Sequence, residues 1–332
     1  MPTTAATPAP PRSVPTDFRW GRKLGQGSFG VVYEVHRKVC GRRFVVKQCN
    51  MRRMSRAEQE EAITEVHLLA SLRHEYIVQY HDSFISAGQL NIVMEHCAGG
   101  DLAAKLAELR RRGQRLPEAL VWRYLLQLAS ALRFVHNEKI LHRDIKSQNV
   151  FLGAKGDVRL GDFGVSKLLE STSDLARTKV GTPYFMSPEL CESRPYSSKS
   201  DIWALGCLLY EMVALRPPFE ADNIASLVLR IIRGQYDPVC RTYTSDVAWV
   251  VKHCCESNHS NHCAALAFVC SLPCHGARSV SPSRVAAICR AAPRYTFYSA
   301  AGAVTGGGRR ASSNEHSRCW SSNPAEYTAA HS

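Results

Sequence analysis

The sequence predicts an α+β fold in which a small strand-rich lobe precedes a larger helical lobe, with a ligand-binding cleft between them. Two observations carry this prediction. In the first part of the chain, short apolar segments alternate with turn residues, as antiparallel strands do. Beyond Gly99-Gly100 the apolar residues recur every three or four positions, which is the spacing of amphipathic helices.

The strand-rich part predicts five strands and one helix. Residues 18–50 contain FRWGRKL, FGVVYEVHR and RRFVVKQC, three strand candidates around a glycine turn. Residues 56–73 predict a helix, because their apolar residues fall on one stripe. IVQYHDSF and LNIVMEHC are two further strand candidates, separated by the turn residues at 86–88.

The helical part contains two strongly apolar segments. Pro117 begins the first of them, PEALVWRYLLQLASALRFVHNEK, as expected for proline in the first turn of a helix. The second is DIWALGCLLYEMVAL. The residues expected on the buried face of the first helix are Val121, Leu125, Leu128, Leu132 and Val135.

Composition excludes several classes of protein. The chain has 332 residues, is 45% hydrophobic and carries a net charge of +13, which excludes wholesale disorder, collagen-like repeats and a coiled coil. No apolar stretch reaches the ~20 residues of a membrane span. MPTTAATPAPPRSVPT also lacks the apolar core of a signal peptide. We therefore expect a cytoplasmic protein with free thiols, with cytoskeletal or nuclear association as alternatives.

The two ends of the chain differ from its middle. Residues 1–17 are rich in Pro, Thr and Ala and predict a disordered arm. From Val251 onward the chain holds seven of its 13 cysteines, is rich in Ala, Ser and Gly, and shows little periodicity. We expect a small lobe at 18–97, a large lobe at 98–258 and a disordered Cys/Ala/Ser-rich tail at 259–332.

A glycine turn in the small lobe indicates a phosphate-binding loop. LGQGSFGVVYEV places Gly25, Gly27 and Gly30 at GxGxxG spacing, which lets the backbone approach phosphates closely. A structural hairpin or a dinucleotide-binding turn would use the same glycines. A dinucleotide-binding turn opens a helix, whereas the residues after Gly30 continue as a strand, so dinucleotide binding is disfavoured.

Charged and amide side chains follow in an order that predicts a nucleotide site. Lys47 lies among apolar residues in FVVKQC and needs an anionic partner, for which Glu65 and phosphate oxygens are the candidates. Asp144 and Asn149 lie close together in LHRDIKSQNVFL, and Asp162 follows in LGDFG. Oxygen donors beside bound phosphates suit Mg²⁺. Each motif alone also fits a structural turn, but their joint occurrence favours function.

The segments GQGSFGVV, VVK, HRDIKSQN, DFG and SPE together resemble a eukaryotic protein kinase. KQCNMRRMSRAEQEEAITEVHLLASLRH, NIVMEHCAGGDL and KVGTPYFMSPEL resemble, more specifically, the NIMA-related (Nek) serine/threonine kinases. The resemblance runs from Phe18 to Asn258. It implies the bilobal kinase fold, with a small antiparallel β lobe that carries one regulatory helix and a larger, mainly α lobe.

The resemblance implies a catalytic role for each of four residues. Lys47 would bind the α- and β-phosphate oxygens of ATP, and Glu65 would pair with Lys47. Asp144 would orient the substrate hydroxyl and accept its proton. Lys146 would stabilise the transferred phosphate, and its position is typical of serine/threonine kinases rather than of tyrosine kinases.

The resemblance also implies how ATP and Mg²⁺ are bound. Asn149 and Asp162 would be the metal ligands. Met94 would be the gatekeeper, and the backbone of Glu95 and Cys97 would bind the edge of the adenine. The complete set implied for the nucleotide is Leu24, Gly25, Gly27, Gly30, Val32, Val45, Lys47, Met94, Glu95, Cys97 and Phe151.

Regulation follows from the same resemblance. Arg143 would receive a phosphate carried by the activation loop, LLESTSDLARTKVGTPYFMSPEL. Thr178 is the predicted phosphorylation site, because it lies four residues before Thr182, which would contact the catalytic loop. Asp201 in SKSDIWALG would be a buried anchor of the catalytic loop.

The resemblance ends after about Asn258. The family continues through Asp-Pro and Arg-Pro-Ser into a last helix, whereas this chain continues HSNHCAALAFVCSLPCHGARSVSPS. We expect the last helices of the large lobe to be missing or replaced. The family's arginine partner of Glu189 is absent from its usual position, and Arg278 or Arg284 would have to substitute.

The tail has two kinds of explanation. A shifted reading frame, an unspliced segment or a truncation would account for it. The alternative is a zinc site, although the candidate ligands lack two regularly spaced pairs. Those candidates are Cys254, Cys255, His259, His262, Cys263, Cys270 and Cys274.

The sequence therefore predicts an ATP- and Mg²⁺-dependent serine/threonine protein kinase that acts on protein substrates. A catalytically weak or inactive scaffold with the kinase fold is the alternative, because the large lobe is incomplete. A nucleic-acid-binding module is motivated by charge alone, and no basic and aromatic signature supports it. No heptad run indicates an oligomer, so the oligomeric state stays open.

Overall fold

Residues 14–27, 30–52, 54–163 and 184–255 are described by a computed structural model of the chain. All of them lie in the first of the chain's two compact units, Met1–Pro293. Most of the predicted arm, all of the predicted tail, Thr178 and Thr182 lie outside the described residues.

The small lobe is built on a five-stranded sheet in which each pair of neighbours is antiparallel. Its strands lie in the order β1-β2-β3-β5-β4, and the helix α1 follows β3. These elements match the five strands and the helix that the sequence predicts. Their bounds are β1 Phe18–Gly27, β2 Gly30–Arg37, β3 Arg43–Asn50, α1 Arg56–Ser71, β4 Tyr80–Ser86 and β5 Gln89–Glu95. A short 3-10 helix at Pro15–Asp17 precedes β1, within the segment predicted as an arm.

Side chains alternate along β3 and place apolar residues on both faces of the sheet. Phe44 and Val46 belong to a buried cluster on one face. Cys49 belongs to a second cluster that contains Ala62 and Val66 of α1. The odd-numbered residues of β3 therefore face α1, and the buried Lys47 is one of them.

The large lobe is mainly helical. As predicted, a helix begins directly after Pro117, and the five residues expected on its buried face are all 1% exposed or less. Its elements are α2 Leu102–Arg111, α3 Glu118–Asn137, β6 Val150–Leu152, β7 Val158–Leu160, α4 Pro188–Cys191, α5 Ser198–Ala214, α6 Ile224–Arg233 and α7 Ser245–Cys254.

Helix α5 lies at the centre of this lobe. Every residue at 200–210 is buried, because apolar side chains surround the whole helix instead of one stripe. Trp203 stacks on Phe219 with ring centroids 5.5 Å apart. A Cβ atom on Gly206 would lie 2.3 Å from the Cβ atom of Cys254, so glycine is what lets α7 approach α5 this closely.

The end of α7 contains two of the predicted zinc ligands, Cys254 and Cys255. Both side chains are buried, and burial raises the pKa of each thiol well above its usual value. Within the described ranges, no group of three or more His, Cys, Asp and Glu residues could hold a metal ion. The other five zinc candidates, together with Arg278 and Arg284, lie outside those ranges.

Backbone hydrogen bonds hold the segment before β4 and the segment after β5 against the β6–β7 hairpin. Val78, just before β4, donates its N–H to the carbonyl oxygen of Leu160 at 2.9 Å. Gly99, just after β5, donates to the carbonyl oxygen of Leu152 at 2.8 Å. The end of the small lobe's sheet is thereby fixed beside the two loops that flank the hairpin.

In the part of the chain that the structure describes, no helix combines the length and the apolar character that a membrane crossing requires.

Candidate active site

The loop between α3 and β6 brings Asp144, Lys146 and Asn149 together. The Nδ2 amide of Asn149 donates to the backbone oxygen of Asp144 at 2.7 Å and to its Oδ2 at 2.8 Å. The Nζ of Lys146 donates to the same Oδ2 at 2.8 Å. A cation and an amide therefore hold the Asp144 carboxylate in one orientation.

Asp201 anchors the start of this catalytic loop from α5, as the sequence predicts. The fully buried carboxylate accepts the backbone N–H groups of His142 at 2.9 Å and Arg143 at 3.0 Å. It also bonds His136 at 2.8 Å and the hydroxyl of Tyr196 at 2.5 Å. Burial alone would raise the pKa of Asp201, but the bonds from His136 and Tyr196 contribute to lowering it below its usual value.

His142 connects the catalytic loop to the segment before Asp162. Burial lowers the pKa of His142, so the imidazole is neutral at neutral pH. Its Nδ1 accepts the backbone N–H of Asp144 at 3.2 Å, which leaves Nε2 to donate to the carbonyl oxygen of Gly161 at 3.0 Å. Gly161 in turn donates its N–H to the carbonyl oxygen of Asn149 at 2.9 Å. These bonds hold the catalytic loop and the segment before Asp162 in a fixed position relative to each other.

Lys47 and Asp162 form an ion pair that links the two lobes. Lys47 is only 9% exposed, on the face of β3 that is turned toward α1. Asp162 has a positive φ of 55°, and the next residue, Phe163, packs its buried ring against His142 at a centroid distance of 4.6 Å. The anionic partner that the structure gives Lys47 is Asp162, which is neither of the two candidates named from the sequence.

Asn149 and Asp162 have the donor chemistry that Mg²⁺ requires. The Asn149 amide nitrogen is occupied by Asp144, while its amide oxygen accepts no hydrogen bond from the described residues. The Asp162 side chain is 42% exposed, so its carboxylate remains accessible beside Lys47. A carboxylate and an amide oxygen, with room for water and phosphate oxygens, fit this ion.

The glycine loop is the tip of the β1–β2 hairpin. Gly27 pairs with Gly30, and Ser28 and Phe29 lie outside the described residues. A Cβ atom on Gly30 would lie 1.9 Å from the carbonyl oxygen of Gln48 on β3, so this position requires glycine. The chain continues as strand β2 and not as a helix, which agrees with the argument against dinucleotide binding.

Strand register places several predicted nucleotide contacts on one face of the sheet. Val32 lies opposite Lys47, and Val45 lies opposite Met94. Directly opposed residues share a face, so these four side chains lie together on the side that carries Lys47. Leu24 on β1 is 42% exposed.

The end of β5 and the segment after it contain the two residues predicted to bind the adenine edge. Glu95 donates its backbone N–H to the carbonyl oxygen of Gln79 at 2.9 Å, whereas the N–H of Cys97 has no partner among the described residues. A free N–H at Cys97 is what hydrogen bonding to a base requires. Burial raises the pKa of the Cys97 thiol to about 12, so the thiol stays protonated.

Phe151 and a small cavity complete the surroundings of Asp162. A Cβ atom on Gly161 would lie 2.9 Å from the Phe151 ring, so this ring packs directly beside the residue that precedes Asp162. A cavity of about 30 Å³ lies between the lobes, and its lining includes Lys47, Met94 and Asp162.

Some predicted residues cannot be placed in this geometry. The backbone of Glu65 lies in α1, but its side chain is outside the described part of the structure, and so are Thr178 and Thr182. Arg143 has a positive φ of 65°, and Asp201 fixes its backbone.

Sequence reasoning missed a second attachment between the catalytic loop and α5. The hydroxyl of Ser147, which is fully buried, donates to Oε1 of Glu211 at 3.0 Å. Burial raises the pKa of Glu211, and the bond from Ser147 offsets this only in part. The available signal was a charged residue inside the apolar run CLLYEMVAL.

Comparisons with known proteins indicate the family of this chain. Residues 18–272 match the family model of the protein kinase domain. The chain is 49% identical over 226 residues to the serine/threonine-protein kinase Nek1 of Mus musculus. The aligned region covers 68% of this chain and 19% of that protein. It is 44% identical over 233 residues to a probable serine/threonine-protein kinase nek2 of Dictyostelium discoideum, covering 69% of this chain and 56% of that protein.

A more distant relative is the G2-specific protein kinase nimA of Emericella nidulans, 39% identical over 265 residues, or 71% of this chain and 38% of that protein. The chain therefore spans between 19% and 56% of the length of these three relatives. The match to the family model covers most of the chain and includes both lobes. The chain belongs to the protein kinase family and, within it, to the NIMA-related serine/threonine kinases.

Proposed function

We propose that this protein transfers the γ-phosphate of ATP to serine and threonine hydroxyls of protein substrates. The observation that carries the proposal is the hydrogen-bonded set of Asp144, Lys146 and Asn149 beside the ion pair of Lys47 with Asp162. Kinases of this family use ATP together with Mg²⁺. The similarity to serine/threonine kinases and the presence of Lys146 support the aliphatic hydroxyls of serine and threonine as acceptors over the phenolic hydroxyl of tyrosine.

Each residue of the set has a role that follows from its surroundings. Asp144 would accept a hydrogen bond from the substrate hydroxyl and then its proton, because its carboxylate is already oriented by two donors. Lys146 would neutralise charge on the transferred phosphate. Lys47 would exchange part of its pairing with Asp162 for the α- and β-phosphate oxygens, with Glu65 as its proposed partner on α1.

Asn149 and Asp162 would hold Mg²⁺ through their oxygens. When bound, the ion neutralises negative charge on the β- and γ-phosphates. The glycine hairpin would cover those phosphates, and Leu24, Val32, Val45, Met94 and Phe151 would enclose the base.

Phosphate transfer from labelled ATP to casein tests the proposal. We expect the wild-type protein to label casein on serine and threonine, and the Asp162→Ala variant to lose at least about a hundredfold in rate, because a proposed Mg²⁺ ligand is removed. Scintillation counting followed by phosphoamino acid analysis measures both the rate and the acceptor.

A matched control is Asp222→Ala, because Asp222 is exposed and lies outside the site. It should label casein at the wild-type rate. Equal signal from the wild type and Asp162→Ala would contradict the proposal and favour the inactive scaffold.

We expect phosphorylation of Thr178 to activate the enzyme. A phosphate there would pair with Arg143, whose backbone is fixed next to the catalytic Asp144. Thr178→Ala should therefore lower casein phosphorylation by about tenfold or more. Mass spectrometry of the wild type establishes whether Thr178 carries phosphate. Full activity of Thr178→Ala, or of a wild type without phosphate at this position, would contradict activation by phosphorylation of Thr178.

The proposal includes a cytoplasmic location, with cytoskeletal or nuclear association. The cysteines among the described residues form no disulfide bonds with one another, which supports a reducing compartment. Fluorescence imaging of the tagged full-length chain tests this part.

A further inference from the structure

Helix α5 contacts the catalytic loop at two separate points. Asp201 binds the start of the loop through the backbone of His142 and Arg143. Glu211, ten residues further along the same helix and therefore about 15 Å away along its axis, binds the middle of the loop through Ser147. The second point lies between Lys146 and Asn149, two residues of the proposed active site.

The carboxylate of Glu211 destabilises the folded state at this position. Its carboxylate is largely buried, and its Oε2 atom has no hydrogen-bond partner among the described residues. Burying a carboxylate with one satisfied oxygen costs free energy that an apolar side chain in the same helix would avoid. The surrounding residues of α5 are apolar, so the packing of the helix does not explain a carboxylate here.

Ser147 is the residue through which this contact reaches the site. It is fully buried and begins a 3-10 turn, Ser147–Asn149. Its carbonyl oxygen accepts the N–H of Val150, and the carbonyl oxygen of Lys146 accepts the N–H of Asn149 at 3.0 Å. A displacement of Ser147 would therefore move Lys146 and Asn149 together, because the turn is internally bonded.

We propose that Ser147 and Glu211 form a positioning pair, in which the carboxylate holds the turn that presents Lys146 and Asn149 for phosphoryl transfer. The proposal deepens the proposed kinase function and rests on it. Neither residue touches the reacting atoms; the pair acts through the geometry of the turn. A misplacement of about 1 Å in such a site can cost a hundredfold in rate.

Steady-state kinetics of the full chain with casein and ATP provide the first test. Ser147→Ala removes the donor with little change in volume, and we expect kcat to fall about tenfold, the rate equivalent of one lost hydrogen bond. The KM for ATP should stay within about twofold, because most of the proposed ATP contacts, from the glycine hairpin, Lys47 and the segment after β5, lie outside this turn. Ser226→Ala, at an exposed position on α6, is the matched control and should leave both constants unchanged.

A second variant separates hydrogen bonding from charge. Glu211→Gln keeps an oxygen that can accept from Ser147, so we expect kcat within about threefold of the wild type. The kcat of Glu211→Ala should fall as far as that of Ser147→Ala. The kcat of the double variant should be no lower than that of either single variant. A tenfold loss in Glu211→Gln would show that the charge itself matters and would overturn the positioning role.

Hydrogen exchange gives a readout that does not depend on activity. In Ser147→Ala the backbone amides of Asn149 and Val150 should exchange several-fold faster, while those of His142 and Arg143, held by Asp201, should not change. A wild type without kinase activity would remove the proposed function and the positioning role together. An active Ser147→Ala protein with unchanged exchange at Asn149 and Val150 would overturn only the positioning pair.

Discussion

Asp201 and Glu211 lie at opposite ends of α5, both bonded to the catalytic loop, yet their surroundings shift their pKa values in opposite directions. Burial raises the pKa of both carboxyls. Asp201 accepts hydrogen bonds from four donors, and those from His136 and Tyr196 help to lower its pKa. Glu211 accepts one, from Ser147, and its pKa is raised.

The difference shows that the number of donors decides what a buried carboxylate does for the fold. Asp201 replaces its lost water with donors from three parts of the chain, so its charge stabilises the structure. Glu211 replaces only part of its lost water, so its charge costs stability while it holds Ser147. We therefore expect substitutions at the two ends to have opposite effects on stability.

The largest effect is expected for Asp201→Asn. The NH₂ group of the amide would face donors, so the backbone N–H of either His142 or Arg143 would be left unsatisfied in a buried place. We expect the free energy of unfolding at pH 7 to fall by about 3 kcal/mol or more. Urea denaturation followed by circular dichroism measures it, and Asp222→Asn, at an exposed position, is the control.

The stability that Asp201→Asn loses relative to the wild type should depend on pH in a defined direction. The pKa of Asp201 in the folded protein lies below its usual 3.8, so the stabilising contribution is present above that value and is lost as pH falls through the folded pKa. The gap between wild type and variant should therefore narrow in acid. A gap that widened as pH fell would contradict the role given to the Asp201 charge.

A smaller effect of opposite sign is expected for Glu211→Gln. The pKa of Glu211 in the folded protein lies above its usual 4.5, so the wild type loses stability as pH rises from that value through the folded pKa. Glutamine does not titrate. We expect the variant to match the wild type near pH 4 and to be about 1 kcal/mol more stable at pH 7.

Urea denaturation at several pH values checks this expectation. A Glu211→Gln protein that was less stable than the wild type at neutral pH would remove the contrast between the two ends of α5. If that protein were also slow in phosphate transfer, the carboxylate would have a partner beyond Ser147.

Much of the fold follows from local patterns in the sequence. The short apolar segments at 18–50 and the turn at 86–88 are sufficient to predict the strands of the sheet, because apolar segments bounded by turn residues are typical of strands. The stripe on α3 is equally clear. Helix α5 has no stripe, since it is buried on all sides, and its central position shows only in its unbroken apolar run.

The candidate site also contains residues that the sequence identifies and contacts that it does not. Lys47, Asp144, Asn149 and Asp162 could be selected from the sequence, because a charged or amide group within an apolar strand or loop needs a partner. The bond from Ser147 to Glu211 could not, since 64 residues separate the two along the chain and nothing in the motif that contains Ser147 indicates its partner. The pairing of Lys47 with Asp162 also depends on how the lobes come together.

The burial of α5 on every side has a consequence for biosynthesis. A helix that is apolar all round cannot be left facing water, and α7, which covers it at Gly206, is made last among the described elements. Until residues 245–254 have left the ribosome, that surface of α5 is open to other apolar chains. A protein cut short before Ser245 would expose it permanently and become a target for chaperones and proteases, even though its active-site residues would all be present.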